Sequence, residues 1–134
     1  IQKEVAERIT AKPGDSDYSR LTVSLGAFFE IKKFFTVPKE AFSPKPKVTS
    51  AVVRMARHEQ PLVPPDLVPH FEMLVKESFH MRRKTLKNNL VAAFKDKTGK
   101  DIEDILSCMG VKPNARPQEV SILDFVTLTK MLNS

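Results

Sequence analysis

Cysteine is nearly absent. The 134-residue chain has one, Cys108, so no internal disulfide can close. No CxxC pair and no His/Cys cluster offers metal-ligand spacing, and no metal is expected. A lone thiol fits a reducing, intracellular setting. Within "ILSCMG", Cys108 reads as a core thiol on an apolar helical face. No apolar run approaches the roughly 18 residues of a membrane span, and no charged-then-apolar leader opens the chain. A soluble, cytoplasmic protein is expected. The four glycines stand apart from one another. Neither GxGxxG nor GxxxxGK[ST] occurs, so nothing in these residues cradles a nucleotide cofactor by itself. His58, His70 and His80 are scattered, with no Ser or Cys partner at a catalytic spacing, and read as solvated or packing histidines. Internal repeats and low-complexity tracts are also missing.

What is there begins with charge. A formal net charge of +6 and a pI near 9.6 favour a polyanionic partner, because each Lys or Arg that meets a phosphate releases condensed counterions. The cations are grouped. Between His80 and Lys100 lie Arg82, Arg83, Lys84, Lys87, Lys95, Lys97 and Lys100 against the single acid Asp96. Between Ala41 and His58 lie Lys45, Lys47, Arg54 and Arg57 with no acid. Two basic surfaces are expected.

At 41% apolar the chain can build one modest core, or one domain and part of another. "VAERI" predicts a short helical turn, "KPGDSDYS" a loop, and "RLTVSLGAFF" a helix with Ser19 as N-cap. From Phe29 the apolar period changes to two, which predicts a strand through Val37. A loop over residues 38–47 leads to a second strand, "VTSAVVRM", apolar on both faces as a covered strand would be. The pair predicts an antiparallel hairpin, and a hairpin alone is marginal in water, so sheet neighbours upstream are expected. The chain also enters at Ile1 without a polar lead-in and reads as a fragment of a longer polypeptide.

"RHEQPLVPPD" breaks regular structure and sets a linker at residues 58–66. Beyond it four helices are predicted over residues 67–134. Leu67, Phe71, Leu74, Val75 and Phe79 stripe the first; Leu86, Leu90, Val91 and Phe94 stripe the second. The third takes Asp101 as N-cap and stops at Gly110 in the left-handed position. The last follows Ser121, with Asp124 three residues on, and runs to about Leu132.

Two places carry chemistry. Arg82, Arg83, Lys84 and Lys87 crowd the start of the second of these helices, where cations oppose the helix dipole at about 0.3–1 kcal/mol each. A purely structural sequence favours acids there, so an anionic ligand, RNA phosphate, is expected. In "AFSPKPKVTS", Pro44 and Pro46 stiffen the backbone around Phe42. Such a ring, flanked by Lys45 and Lys47, suits a nucleobase on its face with phosphate held by the lysines. The residues alone leave this even with a Phe42 that plugs the hairpin end.

"FSPKPKVTSAVVRM", then "FHMRRKTLKNNL", then "MGVKPNARPQEVSILDFVTL", with "QKEVAERI" and "YSRLTV" upstream, resemble the carboxy-terminal half of the KsgA/RsmA family of small-subunit rRNA adenine dimethyltransferases. The resemblance implies an α+β fragment: residues 1–57 as the terminal strands of a Rossmann-like methyltransferase sheet, and residues 67–134 as a small all-α, rRNA-docking domain. It implies S-adenosylmethionine as methyl donor, two adjacent adenines near the 3′ end of small-subunit rRNA as substrate, and the small (30S) ribosomal subunit as partner during ribosome biogenesis. Such enzymes turn the target base out of its stack, and Phe42 matches the aromatic that helps to sandwich it. Lys45, Lys47, Arg82, Arg83, Lys84 and Lys87 are the implied RNA contacts.

The family's glycine-rich cofactor loop, its ribose-holding acid and its Asn-Leu-Pro-Tyr tetrapeptide have no counterpart in these residues, so cofactor binding is expected elsewhere in the protein and this fragment is expected to be inactive alone. Two alternatives stand beside this reading: the related large-subunit rRNA methyltransferase of antibiotic resistance, and a non-catalytic RNA-binding or ribosome-assembly module.

Overall fold

The period-two stretch forms β1 (Phe29–Val37), which pairs antiparallel with β2 (Ser50–Arg57) from Phe29 opposite Arg57 to Val37 opposite Ser50. A computed structural model describes residues 1–41, 44 and 47–133, the side chain of Phe34 excepted. Between Lys33 and Phe35 the register shifts, so the strict alternation read from the sequence breaks there. β2 begins two residues later than expected because Val48 and Thr49 lie ahead of the ladder, the Thr49 carbonyl accepting from the Lys3 amide at 2.9 Å. Ile1 also exchanges bonds with Ala51, its ammonium donating to the Ala51 carbonyl at 3.0 Å, and Gln2 bridges Ser50. The amino-terminal segment thus runs beside the start of β2 and leads into α1 (Lys3–Ile9).

The expected cover on both sheet faces is not found among the described residues. Ala51 is buried, but Phe35 and Val52, which face each other across the ladder, are 56% and 39% exposed. Met55, on the opposite face, is 44% exposed. Two described strands do not supply the layers that would bury these side chains.

α2 (Arg20–Gly26) starts after Ser19 as expected. The Ser19 amide donates to the Thr22 hydroxyl at 3.0 Å, and Thr22 in turn donates to the Arg8 carbonyl, which ties α2 to α1. α3 (Val68–Ser78), α4 (Leu86–Ala93), α5 (Gly99–Cys108) and α6 (Ile122–Leu132) follow, and no strand interrupts them among the described residues. Ser121 caps α6 by accepting from the Asp124 amide at 3.1 Å, and Gly110, at φ 79°, ends the third helix of the bundle in the left-handed region.

Two details differ from expectation. α5 is capped by Thr98 rather than Asp101: the Thr98 hydroxyl accepts from the Asp101 amide at 3.1 Å, and the Asp101 carboxylate accepts from the Thr98 amide at 3.0 Å. Asp101 is therefore the third residue of a reciprocal cap. Those bonds hold its carboxyl below the usual range, so this cap is intact above the ordinary aspartate range and weakens as pH falls through the lowered value. Cys108 is exposed, not a core thiol. The buried stripe of α5 runs through Ile102 and Leu106, one turn apart, and Cys108 lies off it.

The core is one cluster from Tyr18 to Leu132, taking Val23 of α2 and Ala27 just after it as well as Phe71, Leu74, Leu86, Leu90, Ile102, Leu106, Phe125 and Leu128 of the helical region. Residues on both sides of the segment 58–66 thus share it. That segment contributes Val63, 2% exposed, before a short 3₁₀ turn at Pro65–Leu67, and His58 Nε2 lies 2.9 Å from the Gly26 carbonyl oxygen. Tyr18 is wholly buried; its ring stands 6.4 Å from that of Phe79, which stacks at 5.7 Å on Phe125, and its hydroxyl donates to the Val120 carbonyl at 2.6 Å.

Candidate nucleic-acid interface

α3 ends at Ser78, and the chain turns through His80 to Lys84 before Thr85 caps α4 by accepting from the Asn88 amide at 3.2 Å. A bond from the Lys84 amide to the Met81 carbonyl, 2.9 Å, closes the turn. Asn89 pins it from beneath. Only 5% exposed, it accepts from the Met81 amide at 3.0 Å and donates to the carbonyls of Met81 at 3.0 Å and Thr85 at 3.1 Å. Sequence reasoning passed over Asn89, although the signal was present: an amide three residues after Leu86 and one before Leu90 falls on the apolar stripe, where it must find partners.

Removing that amide leaves the Met81 amide without its acceptor and takes one of two donors from the Met81 carbonyl, the Lys84 amide remaining. Asn89→Ala is expected to cost about 1–3 kcal/mol and to speed hydrogen exchange at Met81 more than at the centre of α3. Exchange unchanged at Met81 would show that the turn holds without it.

The four cations expected here divide into two kinds. Arg83 and Lys84 are exposed, and their side chains make no hydrogen bond or ion pair with any described residue. Arg82 reaches back with Nη2 to the carbonyls of Ser16 at 2.6 Å and Tyr18 at 2.9 Å, latching the loop ahead of α2 to the basic turn. Lys87 bonds Glu103 of α5 at 3.2 Å with its side chain 29% exposed. Arg82, Arg83 and Lys84 also precede the Thr85 cap instead of occupying the first helical turn, so the helix dipole opposes them less than the sequence suggested. Arg83 and Lys84 are left as two cations without a described partner on a pinned turn, free to meet an anion.

The second basic region is the connection between β1 and β2. It leaves β1 through a 3₁₀ turn at Lys39–Ala41, closed by the Ala41 amide on the Pro38 carbonyl at 3.0 Å, and Lys47 is exposed just before β2. Phe42 and Lys45 lie outside the described residues. His58 belongs to the opposite end of the hairpin, and no group of three or more His, Cys, Asp or Glu side chains among the described residues is arranged to hold a metal ion. No helix of the described residues is long and apolar enough to cross a membrane.

A two-stranded hairpin joined through a shared core to a helical bundle is an arrangement found in RNA methyltransferases. A dimethyladenosine transferase from Plasmodium falciparum superposes with a TM-score of 0.80 at 26% identity, over 98% of this chain and 55% of that one. The 23S rRNA methyltransferase ErmE does so with a TM-score of 0.69 at 26% identity, over 99% of this chain and 52% of that one. The fold is that of an α+β methyltransferase segment. The chain belongs to the ribosomal RNA adenine dimethylase family, whose model matches residues 1–134. Among its relatives are the ribosomal RNA small subunit methyltransferase A of Neisseria meningitidis serogroup C, 42% identical over 132 residues, and that of Anoxybacillus flavithermus, 39% identical over 134 residues. Each match takes 98% of this chain but 48% and 45% of those proteins, so the chain spans about half the length of the curated relatives it matches.

Proposed function

We propose that this chain is part of an S-adenosylmethionine-dependent rRNA adenine dimethyltransferase that places two methyl groups on each of two adjacent adenines near the 3′ end of small-subunit rRNA, in the cytoplasm, on the assembling small ribosomal subunit. The observation that carries this reading is the similarity of nearly the whole chain, 42% identical over 132 residues, to proteins named as small-subunit methyltransferases. The likeness to ErmE supports a large-subunit substrate only at the level of fold.

The residues present do not fit the methyl donor. Gly14 and Gly110 have positive φ, but neither sits in a glycine-rich turn after a strand, and Gly26 and Gly99 lie within α2 and α5. Cofactor binding is therefore assigned outside these residues. The contribution of this chain is substrate positioning. An adenine amine is a weak nucleophile, and much of the rate comes from holding it in line for attack. Phe42 would form one wall for the flipped base, with Lys45 and Lys47 on the neighbouring phosphates, while Arg83 and Lys84 seat the RNA backbone of the docked subunit. Arg82 acts through the latch to Ser16 and Tyr18, and Lys87 through its pair with Glu103.

The test uses the full-length protein with small and large ribosomal subunits lacking these methyl groups. Transfer to adenines of the small-subunit rRNA alone is the expected result. Transfer to large-subunit rRNA would replace this reading with the resistance enzyme, and transfer to neither would favour a non-catalytic RNA-binding module.

A further inference from the structure

The latch made by Arg82 forms one side of a recess of about 430 Å³, lined by Arg8 and Arg20 as well, together with Ser16, Ser19 and Asp17. Three arginines from three separate parts of the chain therefore line one concavity, against the single acidic residue Asp17. Their own bonding does not explain the convergence. Arg8 and Arg20 are exposed, and neither side chain makes a hydrogen bond or ion pair with any described residue. Arg8, in the last turn of α1, gains a little from the helix dipole; Arg20, the first residue of α2, is opposed by it. Arg82 spends only Nη2 on the Ser16 and Tyr18 carbonyls, which leaves Nη1 and Nε to donate outward.

Like charges brought together cost free energy unless an anion joins them, and guanidinium forks match the oxygens of a phosphate. We propose that this recess is a second phosphate seat for the RNA, in which Arg8 and Arg20 grip the backbone beyond Arg83 and Lys84, with Arg82 adjoining both seats. The inference rests on the reading of the chain as an RNA-docking protein, and it adds residues from the sheet-side half of the chain to a surface expected only on the helical half.

The experiment measures equilibrium binding of the full-length protein to a small-subunit rRNA fragment across a range of salt, for Arg8→Gln/Arg20→Gln and, separately, for Arg83→Gln/Lys84→Gln. Each lost phosphate contact removes about 0.7–0.9 from the slope of log K against log salt, so Arg8→Gln/Arg20→Gln is expected to flatten it by about 1.4–1.8. The unfolding midpoint should stay at the wild-type value, because neither side chain is buried or bonded. A wild-type slope for Arg8→Gln/Arg20→Gln with a flattened slope for Arg83→Gln/Lys84→Gln overturns the second seat and leaves the docking turn standing. Wild-type slopes for both variants overturn the docking reading along with it.

Discussion

Phe42→Ala in the full-length protein is expected to slow single-turnover methylation by about five- to 150-fold, the kinetic equivalent of the roughly 1–3 kcal/mol that an aromatic wall contributes to one stacked base. The loss should fall on turnover rather than on cofactor affinity, because the contact matures only once the adenine has left its stack. Phe42 stands two residues before Pro44 and four before Pro46, in a connection that carries Lys45 and Lys47 and no acid after Glu40. The competing role, a plug at the hairpin end, makes the opposite forecast: a lower melting temperature with near-normal turnover per folded molecule. Rate and thermal unfolding measured on one Phe42→Ala preparation separate the two, and a large loss of stability with unchanged chemistry retires the stacking role.

The largest effect on stability is expected at Tyr18. Tyr18→Ala removes a wholly buried ring, its contact with Phe79 and its bond to Val120. Large-to-small changes of this kind cost about 3–5 kcal/mol, a large share of the roughly 5–15 kcal/mol that holds a domain together. Tyr18→Phe keeps the ring but leaves the Val120 carbonyl without its donor, a loss of about 1–2 kcal/mol. Urea unfolding followed by far-ultraviolet circular dichroism should rank the proteins wild type, Phe, Ala; equal midpoints for Ala and wild type would show that the ring closes nothing. The same phenol gives a pH dependence. Burial first, and the nearby Asp124 charge second, push it well above the ordinary tyrosine range. The unfolded chain loses this proton near pH 10 while the folded protein keeps it, so the stability it contributes is whole below about pH 10 and declines as pH rises further. Tyr18 is the one tyrosine of these 134 residues, so the tyrosinate absorbance of wild type less that of Tyr18→Phe should emerge together with loss of helix signal and not before.

Much of the fold was legible because its signals are local. A period of two from Phe29 gave β1, Ser19 and Ser121 preceded their helices, and Gly110 took the left-handed position that ends α5. The errors arose where local chemistry offers near-equal choices or where distant packing decides. Thr98 and Asp101 are both good caps, and only the reciprocal bonding selects the first. Cys108 follows the apolar residues of α5 closely in sequence but falls beside their stripe in three dimensions. At the basic turn the residue types were readable, yet their engagement was not. Arg82 is latched to residues 64 and 66 positions away, and Lys87 to one 16 away, and no window along the chain reports bonds of that span. Arg8 and Arg20 were overlooked for the same reason, as isolated cations that become neighbours only when the loop folds back.

The shared core has a geometric consequence. Tyr18, Val23 and Ala27 anchor the segment that runs directly into β1, and the same cluster carries α3 and α4, between which the basic turn is held. Between the basic turn and the strand that leads into the β1–β2 connection there is then packed interior, not slack. On the proposed function such a body works as a gauge: once the turn is seated on the ribosomal surface, the loop can reach bases at one distance from that anchor and no other. Two neighbouring adenines would be chosen by where they stand on the particle, and the surrounding sequence would need little reading.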